Sequence, residues 1–240
     1  MKQNYFEPTW SSIKQHQTPN WFKKAKFGIY AHWGIYSVPA AGPNVTWYPY
    51  WMYRPPSPQF DYHCKHYGHP SKFGYKDFIP MFTAEKFNAE EWADLYYRSG
   101  AKFAGPVAEH HDGFPMWNCS DTEWCASKMG PKRDIVGELE KAIRNKGMKY
   151  MVAMHHAENW FFFPHWNNDF DTSKKEYKSL YGELHNLDLI GNQAVYPDHW
   201  GRKNEHQDKP SKAFHDRWLN RLKEVVDNYK PDYVLSLIHI

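Results

Sequence analysis

The chain has 240 residues, 41% hydrophobic and 24% charged, which is enough apolar mass for a sizeable buried core. A net charge of only +3, with Lys and Arg scattered along the chain, argues against a nucleic-acid partner, and no apolar run of about 18 residues exists to span a membrane. Aromatic residues reach 18%, with 12 Trp and 17 Tyr, a composition suited to surfaces that are apolar on one side and polar on the other.

Met1–Trp10 shows no apolar signal-peptide core. The spacing of Cys64, Cys119 and Cys125 includes no Cys-x-x-Cys zinc pair, while Cys119 and Cys125 suit a short disulfide loop in an oxidising compartment. Asn44-Val45-Thr46 and Asn118-Cys119-Ser120 match the glycosylation pattern. A short helix is expected over Pro8–Gln17, then a first strand over Phe27–Gly34 that ends in His32, Trp33 and Gly34. A long irregular stretch rich in Pro, Tyr and Trp follows, to about Thr83. Asn88 suits a helix N-cap, with Glu91 three positions on to complete a capping box. Trp92, Leu95 and Tyr96 would share the buried face of that helix, and Gly100 would end it.

A second strand then begins near Lys102 and runs through Phe103–Val107 into Ala108-Glu109-His110-His111-Asp112-Gly113-Phe114-Pro115-Met116-Trp117. After a loop, Asp134 can cap a helix carrying Ile135, Leu139, Ala142 and Ile143, closed by Gly147. The third strand, Lys149–Met154, ends in His155-His156-Ala157-Glu158-Asn159-Trp160. Another long loop runs to about Pro210. A helix with Phe214, Trp218, Leu222, Val225, Val226 and Tyr229 then stops at Pro231, and Tyr233-Val234 opens a fourth strand.

Strands alternating with helices imply a parallel sheet. Each helix-to-strand connection is short, whereas each strand-to-helix connection is long and rich in His, Trp, Asp and Glu. That asymmetry fits a (β/α)8 TIM-type barrel variant, with its site at the C-terminal ends of the strands. A doubly wound sheet is the alternative, but no Gly-rich phosphate loop follows the first strand. A complete barrel takes about 250 residues. Four strands account for only its first four β/α units, so residues 1–234 are expected to form the N-terminal half of a barrel.

Polar groups at strand exits, ringed by aromatics, suit a pocket for a small polar ligand. Gly113 can turn the backbone sharply there. Neutral imidazoles each donate one hydrogen bond and accept another, which suits hydroxyl groups, while aromatic walls suit C–H faces. The carboxylates nearby are not assigned as the acid/base pair. Asp112 is expected to bond backbone groups or an imidazole. Glu109 alternates with His110 along the strand and should point away from the pocket. Glu158 reaches a ligand only through its loop.

Three blocks carry a family resemblance: Trp21–Pro39, which includes Phe27-Gly28-Ile29-Tyr30-Ala31-His32-Trp33-Gly34; His110-His111-Asp112-Gly113-Phe114; and Met129–Leu139. In order and spacing they resemble glycoside hydrolase family 29, the α-L-fucosidases, from about Tyr5 to Val234. The resemblance implies a retaining exo-glycosidase that releases terminal α-L-fucose from fucosylated glycans on a barrel domain, with no metal or organic cofactor. It implies a secreted, periplasmic or lysosomal location. By motif, His32, His110 and His111 would hydrogen-bond fucose hydroxyls, and Trp47 would match a pocket tryptophan. Family members often carry Glu just before that Trp, where this chain has Thr46. His156 is also carried over as a hydroxyl ligand, at a place where the chain departs from the family pattern: many members end the third strand in Tyr-Tyr-Ser, and this chain has His155-His156-Ala157.

Three other readings stand beside this one. A metal-dependent barrel hydrolase would use His32, His110, His111, His155 and His156 as ligands, although amidohydrolase-like barrels show His-x-His on the first strand and only His32 is present. A non-catalytic fucose-binding relative would share the same blocks. A generic α/β domain with core histidines would not explain three matching blocks. In the family the fourth strand continues from Pro231-Asp232-Tyr233-Val234 into Trp-Phe-Asp, whose Asp is the nucleophile. This chain instead reads Leu235-Ser236-Leu237-Ile238-His239-Ile240, the translation of one frame of a common transposase sequencing adapter. Residues 235–240 are therefore expected to be read-through, with no catalytic residue before them. The nucleophilic Asp is expected just after Val234 in the parent gene and the acid/base further on, so the 240-residue polypeptide is expected to be inactive and poorly folded.

Overall fold

Four strands, β1 (Gly28–Ala31), β2 (Phe103–Glu109), β3 (Lys149–Met154) and β4 (Tyr233–Ser236), lie in one sheet in the order β1-β2-β3-β4. Every pair is parallel, with Gly28 opposite Phe103, Phe103 opposite Lys149 and Met151 opposite Tyr233. This computed structural model describes residues 6–165, 167–184 and 210–236. Each strand neighbours the next in sequence, so these four strands contain no switch point of the kind that marks a doubly wound sheet. Nearly every residue of β2 and β3 is buried, as expected of parallel strands covered on both faces.

β3 has the bounds expected from sequence. β1 is shorter than Phe27–Gly34, because His32–Gly34 leave the sheet for a one-turn 3₁₀ helix at Ile35–Ser37. β2 includes Pro106, which lacks a ladder donor, and its register with β3 shifts between Val107 and Glu109. At Gly105 the two backbones approach so closely that a Cβ would lie 1.7 Å from the Met151 carbonyl oxygen.

Three principal helices link the strands: α1 (Ala89–Arg98), α2 (Ile135–Asn145) and α3 (Lys212–Tyr229). α1 packs on α2, and α2 lies against β2 and β3. Asn88 caps α1 by accepting from the amides of Glu90 (3.0 Å) and Glu91 (3.3 Å). The capping box is not reciprocal in the expected way, since Glu91 accepts from the Asn88 side-chain amide at 3.1 Å. The buried stripe of α1 is Ala89, Ala93 and Tyr96, with Trp92 half-buried beside it. Leu95 falls two residues beyond Ala93, on the other side of the helix, and is 54% exposed, contrary to the expected face. Asp134 caps α2 through the Gly137 amide (2.9 Å), and Ile135, Val136, Leu139, Ala142 and Ile143 are buried as a stripe. Ser211 caps α3, and Lys230 closes it in the left-handed conformation before Pro231.

The N-terminal helix is one turn, Trp10–Ile13, rather than the whole of Pro8–Gln17. Cys119 and Cys125 are buried free thiols and form no disulfide, and the Cys119 thiol donates to Asp121 Oδ1 at 3.1 Å. Asn44 and Asn118 are both exposed. Among the described residues no helix is long and apolar enough to cross a membrane. Much of the long loop before Pro210, and residues 237–240 of the C-terminal tail, lie outside the described residues. Leu235 and Ser236 extend β4 beyond Val234.

Candidate active site

In a parallel sheet every strand presents its C-terminal end to the same rim. His32 leaves β1 there, His110 and His111 leave β2, and His155 and His156 leave β3. The His155 amide donates to the Glu109 carbonyl (2.9 Å), which ties the exit of β3 to that of β2. The rings of His32 and His110 are 5.3 Å apart, those of His110 and His111 4.3 Å, and those of His110 and His155 5.5 Å. His32 Nε2 lies 3.3 Å from His155 Nε2. Four imidazoles therefore form one cluster. His155, which sequence reasoning held only as a metal ligand, is a full member of it.

The turn after β2 depends on Gly113. Its φ is +75°, and a Cβ there would lie 2.5 Å from the Leu180 carbonyl oxygen and 2.7 Å from Asn159 Nδ2. Asn159 in turn donates to the His111 carbonyl (2.9 Å), so the β3 exit braces the turn. Trp47, at the end of the 3₁₀ turn Val45–Trp47, sets its ring edge-to-face on His111 (5.2 Å) and on Phe162 (5.3 Å). Phe162 also packs on His111 at 5.4 Å. The aromatic wall expected around the histidines is present.

The imidazoles of His32 and His110 favour the neutral form. Burial lowers the pKa of His32. Burial, followed by the nearby His111, His155 and His32, holds His110 well below its ordinary value. His110 Nδ1 is buried with no hydrogen-bond partner among the described residues. His111 donates from Nδ1 to the His155 carbonyl at 2.9 Å, which turns its Nε2 toward Glu158 Oε2 at 3.3 Å. Burial pushes the Glu158 carboxyl up to about 7. Glu158 thus stands against the histidine cluster, a closer approach than its loop position promised.

Asp112 is buried and accepts from the Tyr75 hydroxyl at 2.7 Å and the Phe114 amide at 3.3 Å. The backbone bond was expected; a phenol takes the place of the imidazole. Burial pushes its carboxyl up to about 7, against the pull of those two hydrogen bonds. Glu109 turns away from His110, as strand alternation requires. It meets His156 Nδ1 at 2.6 Å and Arg221 Nη1 at 2.5 Å. Burial alone would raise its pKa, but Arg221 and His156 outweigh burial and hold it below the ordinary carboxylate value. His156 is therefore set apart from the other four histidines. Its ring stacks on Phe214 (5.1 Å), and its Nε2 is buried without a hydrogen-bond partner among the described residues. Sequence reasoning missed Arg221. The available signal was its spacing: it follows Phe214 by seven residues and precedes Val225 by four, on the inward stripe of α3. Among the described residues no group of three or more His, Cys, Asp or Glu is arranged to hold a metal ion.

The sequence profile of the family described as alpha-L-fucosidase matches residues 1–236. The chain belongs to the alpha-L-fucosidase family. It is 46% identical over 157 residues to the plasma alpha-L-fucosidase of Homo sapiens, covering 65% of this chain and 33% of that protein. With the human tissue alpha-L-fucosidase it shares 35% identity over 234 residues, 89% of this chain and 49% of that one. The crystal structure of Thermotoga maritima alpha-fucosidase in complex with fucose superposes with a TM-score of 0.73 at 32% identity, over 98% of this chain and 50% of that one. The chain thus spans between a third and a half of the length of these curated family members. Its α/β architecture, a parallel four-stranded sheet, is that of the corresponding part of the Thermotoga fucosidase.

Proposed function

We propose that the protein carrying this chain is a retaining exo-α-L-fucosidase that removes terminal fucose from glycans. The observation that carries this reading is the rim cluster of His32, His110, His111 and His155, walled by Trp47 and Phe162. Fucose is an uncharged sugar with hydroxyls on its ring and a methyl group at C6. Imidazoles in the neutral form match the hydroxyls as donors and acceptors, and the indole and phenyl faces match the methyl and ring C–H groups. A phosphorylated substrate would call for clustered Lys or Arg rather than imidazoles. His32, Trp47, His110 and His111 are the proposed substrate contacts, with His155 joining them on geometry; His156, set apart by Glu109 and Phe214, would reach the sugar only through its Nε2.

The four strands are read as the first half of a (β/α)8 barrel, whose remaining strands would complete the rim. Retaining hydrolysis needs a nucleophilic carboxylate and a separate acid/base. Asp112 is engaged by Tyr75 and Glu109 by Arg221; on the family resemblance the nucleophile is expected as an Asp close after Val234 and the acid/base further on. The relatives' names, plasma and tissue alpha-L-fucosidase, and the exposed Asn44 and Asn118 support a secreted or lysosomal location. The test is hydrolysis of an aryl α-L-fucoside by the full-length gene product, with the product anomer followed by NMR. Turnover with α-L-fucose as the first product is expected. Fucose binding without turnover would identify a silent relative, and an inverted product would refute the retaining assignment.

A further inference from the structure

Arg221 is a long cation with 1% side-chain exposure, and it reaches the β2 turn from α3, 112 residues away in sequence. Its Nη1 contacts Glu109 at 2.5 Å and donates to the Gly113 carbonyl at 3.3 Å. On its other edge, Nε donates to Asp121 Oδ1 at 3.1 Å and Nη2 pairs with the same carboxylate at 3.0 Å. Glu109 and Gly113 immediately flank His110, His111 and Asp112, so one guanidinium grips both ends of the segment that carries the paired histidines. The planar fork of Arg makes this double hold geometrically specific. A buried charge is retained only when paired, and here each edge of the fork faces a carboxylate, Glu109 on one side and Asp121 on the other.

The same guanidinium acts on His156. With Arg221 beside it, Glu109 stays ionised and can only accept, so His156 Nδ1 must be the protonated nitrogen of their 2.6 Å bond. In the neutral ring the lone pair then lies on Nε2, the buried nitrogen with no hydrogen-bond partner among the described residues. We propose that Arg221 and Glu109 are positioning residues for the fucose site. They fix the pitch of the 110–112 turn and the tautomer of His156, so that its Nε2 is presented as an acceptor. The proposal rests on the fucoside reading only for its kinetic consequence, since the tautomer is a property of the protein alone.

The experiment uses the full-length protein, labelled with ¹⁵N-histidine, with the His156 signal assigned by its loss in His156→Ala. The wild type should show His156 as the Nδ1–H tautomer. In Arg221→Met, Glu109 loses the cation that keeps it ionised; protonated, it becomes a donor and should drive His156 toward the Nε2–H form. kcat/KM on an aryl α-L-fucoside should fall about tenfold to a hundredfold in that variant, the scale of a displacement near 1 Å at a catalytic group. Arg221→Lys should keep the Nδ1–H tautomer and recover most of the activity. Glu109→Gln, which preserves volume, should mix the tautomers and serves if Arg221→Met does not fold.

Asp232→Asn is the stability control. Asp232 pairs with Lys149 and Arg144 at the opposite end of the sheet, so its loss should lower Tm and leave tautomer and kinetics alone. A His156 tautomer and kinetics indifferent to Arg221 and Glu109, in a wild type that turns over fucoside, would overturn the positioning role and leave the fucosidase reading standing. So would losses in Arg221→Met no greater than those of Asp232→Asn at equal Tm. A wild type that does not bind L-fucose, yet whose His156 tautomer answers to Arg221, would remove the fucoside reading and support the positioning.

Discussion

Asp112→Asn should stabilise the protein above neutral pH and flatten its dependence of stability on pH. The Asp112 carboxyl is pushed up from an ordinary 3.8 to about 7, with burial as the leading cause. Between those two values the folded state holds a proton that the unfolded chain has released, so the free energy of unfolding falls as pH rises. At about 1.36 kcal/mol per pH unit the interval amounts to roughly 4 kcal/mol. That stability is fully present below pH 3.8 and lost once pH passes about 7. Asn cannot ionise, and its Oδ1 can still accept from the Tyr75 hydroxyl, which lies 2.7 Å from the carboxylate. Its amide nitrogen faces a buried site and costs about 1–3 kcal/mol if unpaired. The net gain expected at pH 8 is therefore about 1–3 kcal/mol. Urea unfolding of both proteins at several values between pH 5 and pH 8 measures it, and the difference between them cancels any slope due to Glu158. Parallel stability curves for the two proteins, or a variant less stable at pH 8, would show that Asp112 is ionised in the folded state without cost and refute the reasoning.

In the full-length protein, His110→Ala or His111→Ala should lower kcat/KM on an aryl α-L-fucoside by about one to two decades, since each removes a hydrogen bond of about 1–3 kcal/mol from a desolvated site. Kinetics within twofold of wild type for both variants would remove these histidines from the substrate contacts. Dialysis against a chelator should leave fucosidase turnover unchanged, because neutral imidazoles at this spacing are read as hydroxyl partners; activity lost to the chelator and restored by zinc would favour the metal-dependent reading.

Features set by local chemistry were readable in the chain itself. β3 is a continuous apolar run between a helix-stopping glycine and a polar exit, and its bounds follow from that alone. Asp134 caps α2 because a short carboxylate at that position satisfies a free helix amide. The divergence of Glu109 from His110 follows from the two-residue period of a strand. What escaped depends on partners distant in sequence. Leu95 has the hydrophobicity of a core residue, but the face of α1 is chosen by what α2 offers it, and Ala93 and Tyr96 fit there. Cys119 and Cys125 have the spacing of a bridge, yet Cys119 is engaged by Asp121, a residue that Arg221 draws in from 100 positions away. The separation of His156 from the other histidines likewise required Arg221, and an arginine in an apolar helix stripe reads as a surface residue until the acid that receives it is seen.

Gly105 bears on how this sheet can vary over time. A methyl group at that position would collide with the Met151 carbonyl oxygen, a backbone atom of the neighbouring strand that no rotamer change can move aside. Every amino acid reachable from a glycine codon by a single base change carries a Cβ, so each one-step neighbour must break the β2–β3 register before it can offer any benefit. Mutational drift is thus shut out at this position of β2, five residues before His110. Substitutions in the loops around the histidines do not meet the collision at this glycine, so change there leaves the β2–β3 approach intact.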